Sequence, residues 1–200
     1  MGLLDMLFGA GSKGLRKPSK IRHDGKRLSE ILDAHRKFHL GEAGGARANL
    51  SGADLSSADV RGSDLTGAIL VGCNLREADL RGTKLGSADL SRANLRKADL
   101  RSCDLTEAKF EGADLSEANL SGTELFRGDL SSAILRGALL RGTVLRQATL
   151  RGADFTGADL TLASFREIDL TDVKMDGVDL TNAVVRDNRK DGAPSQPSKS

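Results

Sequence analysis

The sequence predicts an all-β fold, a solenoid with square coils, and three observations predict it. From Leu50 to Val185 every fifth residue is apolar, across 28 positions of which 22 are Leu. The residue two places earlier is small, and is Ala at 18 of the 28 positions, so both side chains point to one side of an extended backbone. Several features recur every 20 residues, which predicts four units per coil and about seven coils.

Each position of the five-residue unit has a physical reason. In Ala53-Asp54-Leu55, the Ala and the Leu face inward while the Asp between them faces outward. The next two positions turn the chain, and the second is often Gly, as at Gly52 and Gly62, because Gly tolerates the positive φ of a tight turn. A single unit cannot bury its Leu, so the units must coil and stack on one another.

The 20-residue period is visible on both sides of the chain. Asp59, Asp79 and Asp99 recur on the outside, two residues before arginines that recur at the same spacing. We expect these columns to form a solvated lattice of neutralising charges on one face. The small inward position departs from Ala at the same period, at Ser63, Thr83, Cys103, Thr123 and Thr143.

The tandem A-(D/N)-L-x-x array, over roughly residues 46–187, resembles the pentapeptide-repeat proteins. The resemblance implies a right-handed quadrilateral β-helix with Leu or Phe stacked inside. It also implies a function to weigh, because the family includes gyrase-protecting members thought to imitate duplex DNA with a strongly acidic rod. Residues 46–186 carry 18 Lys and Arg against 21 Asp and Glu, a net charge of −3. A DNA mimic needs a large field of one sign, and this net charge is small, so a mimic that binds DNA gyrase is only the alternative function. Direct nucleic-acid binding is not expected.

The chain divides into four predicted regions: a basic leader (1–24), a helical N-terminal cap (25–45), the repeat solenoid (46–187) and a disordered polar tail (188–200). A solenoid needs caps because its end coils expose core and unpaired strand edges. An amphipathic helix is predicted in the second region from the helical spacing of Leu28, Ile31, Leu32, His35 and Phe38.

No comparable cap is predicted at the other end. The inward residues of the last coils become larger, with Ile168, Val173 and Val178 in place of Ala. An uncapped apolar coil predicts a homodimer formed by end-to-end docking of C-terminal coils. The candidate dimer end consists of Met175, Val178, Leu180, Val184 and Val185.

The N-terminal leader predicts peripheral contact with a membrane. Its apolar residues Leu3, Leu4, Leu7 and Phe8 precede a basic run that would meet anionic lipid. A disordered leader, or one folded back onto the helix, is the alternative. The first residues are too short and wrongly charged for the secretory signal peptide pattern, and no stretch approaches the length of a membrane span, so we expect a cytoplasmic protein, peripheral to the inner membrane if the leader binds lipid.

A second candidate surface lies within the solenoid. Ile134, Leu139 and Val144 replace the outward Asp in three consecutive units, which predicts an apolar belt around three faces of one coil. Arg136, Arg141 and Arg146 edge the same coil. An apolar centre with Arg at its rim is typical of protein interfaces. The alternative is neutral drift in a repeat that tolerates any exposed side chain.

Catalytic and cofactor sites are not predicted. His35 and His39 lie four apart on the cap helix, but no Cys or carboxylate accompanies them as a metal-ligand set. Cys73 and Cys103 occupy small inward positions on different coils, so they are expected to replace Ala and not to pair. The sequence therefore predicts a non-enzymatic scaffold, without cofactor, that binds a protein partner through its outer faces.

Overall fold

The computed structural model describes residues 14–186, and within them regular elements are few and short. A 3₁₀ turn (Pro18–Lys20) precedes a hairpin of strands β1 (Arg22–His23) and β2 (Lys26–Arg27), which leads directly into helix α1 (Leu28–Leu40). Strands β3 (Ser164–Arg166) and β4 (Val184–Arg186) pair in parallel at the other end. Between α1 and β3 the backbone alternates turns with single-residue β-bridges.

These bridges are parallel, and within the repeats they join residues 20 apart, such as Asp54 with Asn74 and Asn74 with Asn94. The N–H of Leu75 donates to the carbonyl of Asn94 at 2.7 Å, and the N–H of Asn74 donates to the carbonyl of Ala53 at 2.9 Å. Four units thus complete one turn of a β-helix-like solenoid. The total of about seven coils stays a prediction.

The bridges arrange the outward residues in four columns, one on each face of the solenoid. Face A begins with Asn49, face B with Asp54, face C with Asp59 and face D with Asp64, and each column continues at every twentieth residue. The chain passes from A through B and C to D before it enters the next coil. Two residues form each corner between faces.

The interior is filled by the apolar residue of each unit. From Leu50 to Leu170 these side chains are at most 2% exposed, whereas Leu180 is 36% exposed. Each buried Leu contributes roughly 1.5–3 kcal/mol by leaving water. Threonines at the small inward position bond to a backbone carbonyl, as the hydroxyl of Thr83 does to Val60 at 3.0 Å, whereas the buried hydroxyl of Ser63 has no hydrogen-bond partner among the described residues. The core is therefore closed along most of its length and open at the C-terminal coil.

The outward Asp or Asn helps to build the corner that follows it. The Asp54 carboxylate accepts the N–H of Ser56 at 3.1 Å, and the Asp64 carboxylate accepts the N–H of Thr66 at 3.0 Å. Each is an Asx turn, in which a short acceptor side chain bonds the backbone two residues on. Hydrogen bonds from Ser56 hold the pKa of Asp54 below its ordinary value. This role explains why the repeat prefers Asp and Asn at a position that the sequence pattern alone indicates only as outward and polar.

The N-terminal segment packs onto the first coil. Arg16 bridges Ala58, with its N–H donating to the carbonyl of Ser57 at 2.7 Å, and Ile21 is fully buried. Helix α1 begins with a bond from the Arg27 N–H to the Glu30 carboxylate and ends at Gly41, whose φ of 66° is left-handed. Among the residues of the predicted helix, Leu28, Leu32 and His35 are buried, Ile31 is partly buried and Phe38 is 48% exposed.

The boundaries of the predicted regions stay predictions, as does the capping role of the helix. None of the helices among residues 14–186 is long and apolar enough to cross a membrane. The proposed tail (188–200) lies outside the described residues.

Candidate interaction surface

The apolar belt of Ile134, Leu139 and Val144 lies on faces B, C and D of one coil. The three side chains are 38%, 41% and 37% exposed. Each bridges polar or charged residues in its own column, as Leu139 does with Asn119 and Asp159. The belt therefore turns two corners, and a flat partner surface could cover only part of it.

Forming the belt removes three Asx turns. At the ordinary corner an Asp accepts the N–H two residues on, but Ile134, Leu139 and Val144 have no acceptor atom. The stretch from Leu130 to Ala153 also contains no acidic residue, although acidic residues occur in the coils on both sides. This coil thus lacks the outward Asp or Asn on faces B, C and D.

The arginines at the belt corners are held by the following coil. Arg136 donates to the Asp154 carboxylate from Nε at 2.8 Å and approaches it with Nη2 at 2.7 Å. Arg141 lies 3.5 Å from Asp159. Burial alone would raise the pKa of Asp154, but hydrogen bonds from Thr156 and the Arg136 guanidinium outweigh it, so the pKa lies below the ordinary value. The rim cations are therefore oriented toward the C-terminal coils.

An aromatic cluster adjoins the belt at the corner between faces D and A. The guanidinium groups of Arg127 and Arg146 lie 4.9 Å and 5.6 Å from the centre of the Phe126 ring. Arg127 also donates to Gln147 at 3.0 Å, and Arg146 lies 3.5 Å from Glu167. Cation–π contacts of this kind contribute about 0.5–1 kcal/mol where they are exposed. They hold both arginines beside the Phe126 ring.

Face C carries a ladder of ion pairs in the first coils. Arg61 binds Asp59 with two bonds of 2.8 Å, and it also lies 3.6 Å from Asp79 in the next coil. Arg81 repeats the pattern, with Asp79 at 2.7 Å and Asp99 at 3.5 Å. The hydrogen bonds that Arg61 donates to the Asp59 carboxylate raise the pKa of Arg61. The alternating charges neutralise one another along this face.

The ladder is less solvated than the sequence suggests. Asp59 is completely buried and Asp79 is 7% exposed, whereas exposed ion pairs were expected. The N-terminal segment lies beside the start of this column, because Arg16 bridges Ala58 and the N–H of Asp59 donates to the carbonyl of Arg16 at 2.9 Å. Periodicity within the repeats could not show that a segment outside them covers the first Asp.

The residues of the candidate dimer end meet at the last coil. Met175, Val178 and Val185 are partly buried and pack against the core, and Leu180 is exposed. Val184 is half-buried and pairs with Ser164. Leu3, Leu4, Leu7 and Phe8, the predicted membrane contact, lie outside the described residues.

A groove of about 300 Å³ opens on face A, between the segments 147–151 and 167–172. Among the described residues, the bridges of this face run from Asn49 to Thr149 and include none from Thr149 to Asp169. Ile168 stands here in the small inward position that Ala148 occupies one coil earlier. The larger side chain needs more room, and we infer that it separates the two walls. Its size was visible in the sequence, but its effect on the ladder was not.

The two cysteines are buried and have backbone partners. Cys73 and Cys103 are buried free thiols whose S–H groups lie 3.2 Å and 2.9 Å from the carbonyls of Ala53 and Leu80. Burial raises the pKa of each thiol to about 12, so both are protonated and unreactive at neutral pH. Within residues 14–186 there is no cluster of three or more His, Cys, Asp or Glu that could hold a metal ion.

Several solved structures show detectable similarity to this chain. HetL from the cyanobacterium Nostoc sp. strain PCC 7120, a pentapeptide repeat protein involved in the regulation of heterocyst differentiation, is 30% identical over 69% of this chain and 83% of its own, with a TM-score of 0.41. A trypsin-treated form of QnrB1, a plasmid-mediated fluoroquinolone resistance protein, is 28% identical over 72% of this chain and 79% of its own, with a TM-score of 0.42.

A thylakoid-lumen protein of Arabidopsis thaliana is 34% identical over 49% of this chain and 65% of its own, with a TM-score of 0.39. The search of curated proteins gave no match. The sequence model for pentapeptide repeats (8 copies) matches residues 48–86, 83–122, 123–161 and 150–187, which together cover more than half of the chain. With the 20-residue bridge period and the buried fifth residues, these matches show that the chain belongs to the pentapeptide repeat family.

Proposed function

We propose that this protein is a non-enzymatic scaffold that binds a protein partner through its outer faces, with the apolar belt as the docking surface. The observation that carries the proposal is the simultaneous loss of the outward polar residue on faces B, C and D of one coil. Ile134, Leu139 and Val144 are all exposed, and each replaces a residue that would stabilise its corner. Drift would not be expected to affect one coil so selectively.

The arginines of this coil complete the surface. Arg136, Arg141 and Arg146 occupy the corners that follow the three apolar side chains, and their ion pairs with the next coil limit their motion. Arg that is held before binding loses less side-chain entropy when a partner arrives. A partner that fits would have apolar side chains opposite the belt and acceptor groups opposite its rim.

The test is affinity capture from native lysate with Leu139→Asp. This change restores the repeat motif, including the Asx-turn acceptor, so the solenoid should fold as before. The matched control is Asn119→Asp, one coil earlier on the same face. We expect a partner to be recovered with the unmodified chain and with the control, and lost with Leu139→Asp. Unchanged recovery with Leu139→Asp would exclude the belt as the docking surface.

The alternative function is a DNA mimic that binds and protects DNA gyrase. Such a mimic needs a large surface of one charge sign, whereas Asp59 and Asp79 on face C are paired with Arg61 and Arg81. Because these paired charges reduce the negative field of face C, we rank the gyrase-binding mimic second to the scaffold. A supercoiling assay with gyrase, with and without a quinolone, separates the two functions, because protection or inhibition would favour the mimic.

The C-terminal coil is proposed as a dimer interface. Met175, Val178, Leu180, Val184 and Val185 form the incompletely covered end of an otherwise closed core. Docking of two such ends would bury this apolar surface. Light scattering at micromolar concentration should give a dimer mass for the unmodified chain and a monomer mass for Leu180→Asp. A monomeric unmodified chain would contradict the proposal.

The cellular location is proposed as cytoplasmic, with the leader able to contact the inner membrane through Leu3, Leu4, Leu7 and Phe8. The basis is the sequence pattern of apolar residues followed by cations. Flotation with anionic vesicles should recover the full chain but not a chain lacking residues 2–8. Equal recovery of both chains would contradict a role for the leader.

The remaining architecture is also proposed: about seven right-handed coils over residues 46–187, capped by the helix within residues 25–45. The burial of Leu28 and Leu32 supports the capping role. Removing residues 25–45 should lower the solubility and the unfolding temperature of the solenoid if the helix is its cap.

A further inference from the structure

His35 of helix α1 is completely buried and connects three parts of the chain. Its Nδ1 accepts the N–H of Ala48, the first small inward residue, at 3.1 Å. Its Nε2 lies 3.1 Å from the carbonyl of Thr66, at the first corner between faces D and A. One imidazole ring therefore fastens the helix to the start of the solenoid and to its first full turn.

The partners of this ring determine its protonation state. A backbone N–H can only donate, so Nδ1 must be without a proton to accept the bond from Ala48. A carbonyl oxygen can only accept, so Nε2 must carry the proton that it donates to Thr66. Only the neutral ring with its proton on Nε2 satisfies both contacts, and a protonated ring would place a second donor against the N–H of Ala48.

The surroundings also oppose a positive charge on the ring. Burial lowers the pKa of His35, and the neighbouring His39, with its ring centre 4.6 Å away, lowers it further. Arg47 acts in the same direction, whereas Asp64 and the Thr66 carbonyl favour the charged form without reversing the shift. His39 is on the exposed side of α1, and its Nε2 lies 2.9 Å from the same Thr66 oxygen.

We propose that His35 is an acid-sensitive latch, which holds helix α1 on the first coil while it is neutral and releases the helix when it is protonated. Release would break the bonds to Ala48 and Thr66 together, and it would expose the buried side chains of Leu28 and Leu32. The N-terminal end of the solenoid would then be open, and the remaining coils would keep their own bridges because contacts in a solenoid are between neighbours.

The direction of the pH dependence follows from linkage. The released helix has a His with an ordinary pKa of about 6.5, and docking lowers that pKa, so the released state binds the proton more tightly. Docking is fully stabilised above about pH 6.5 and weakens as the pH falls from there toward the lowered pKa. For each pKa unit by which docking lowers the pKa of His35, the equilibrium constant for release of α1 increases about tenfold at acid pH.

The test is amide hydrogen exchange of the full chain at pH 7.5 and pH 5.0, corrected for intrinsic exchange rates. We expect the α1 amides to lose protection about threefold or more at pH 5.0, with the amides of Leu75 to Leu120 unchanged. His35→Gln offers one acceptor and one donor without a titrating proton, so its α1 amides should show no such pH response. His39→Gln is the matched control, and its α1 amides should still lose protection at pH 5.0, because His35 is retained.

An NMR titration of the imidazole C–H resonances keeps the proposal testable even if His35→Gln loses its helix. The His35 resonance should titrate below the ordinary pH for His, together with α1 amide shifts. If His35 titrates at its ordinary pH, or if it becomes protonated while α1 stays protected, there is no latch. Loss of the response in His39→Gln but not in His35→Gln would likewise overturn the assignment.

Discussion

The two ends of the solenoid differ in how their apolar interior is covered. At the N-terminal end, Leu50, the first inward Leu, is fully buried. At the C-terminal end, Leu180 occupies the equivalent inward position of its unit and is 36% exposed. The same repeat position is therefore core at one end and surface at the other. The position of a residue within the five-residue unit fixes the direction of its side chain, and the neighbouring residues decide whether that side chain is buried.

The largest expected effect comes from placing a charge at the middle and at the end of the same column of inward residues. Leu100→Asp puts a carboxylate into a site that is fully buried, and it should lower the free energy of unfolding by more than about 4 kcal/mol. Leu180→Asp should cost less than about 1 kcal/mol in the monomer, where the side chain can reach water. Urea unfolding followed by circular dichroism measures both. Equal effects would contradict the open C-terminal end.

The next effect concerns helix α1, the proposed cap at the N-terminal end. Leu28→Ala removes a fully buried side chain of α1 and should cost about 2–5 kcal/mol of local stability. Because solenoid energetics are nearest-neighbour, the loss should be concentrated in α1 and the first coil. Hydrogen exchange would show it as faster exchange of α1 amides, with those near Leu140 unaffected. Phe38→Ala, at a half-exposed position of the same helix, is the matched control.

A smaller effect is expected from the ion pair below the belt. Asp154→Asn keeps the Asx turn with Thr156 but removes the charge that Arg136 binds, and it should cost about 1 kcal/mol. Because the pKa of Asp154 is lowered, its contribution is present above about pH 4 and is lost as the pH falls through the folded pKa. Unfolding curves at pH 7 and pH 3 should therefore differ less for the variant. Asp129→Asn, which has the same Asx turn to Ser131, is the control.

The smallest effect concerns the interrupted ladder on face A. Ile168→Ala should let the walls of the groove approach and should slow exchange of the Gly152 amide by about fivefold, the equivalent of one hydrogen bond. Val173→Ala is the matched control on face B, where the Lys174 N–H already bonds Ala153 at 3.0 Å. An unchanged Gly152 amide in Ile168→Ala would show that side-chain size is not what opens the groove.

Much of the repeat region could be predicted from the sequence because its signal is local and repeated. The spacing of Leu50, Leu55 and their successors predicted the inward column, and the period between Ser63 and Thr83 predicted the coil size. The burial values and the 20-residue bridges agree with both. The apolar belt was also predictable as an exposed feature, because a residue that replaces an outward Asp must itself point outward.

The sequence by itself determined the repeat unit, its inward and outward sides and the number of units in one turn, because each depends on residues at fixed short spacings. Only the tertiary structure decided that Asp59 is buried, that His35 joins α1 to Ala48 and Thr66, and that face A opens beside Ile168. These features depend on contacts between a periodic segment and a non-periodic one, or on the sum of side-chain volumes between two walls. A periodic pattern contains no information about either.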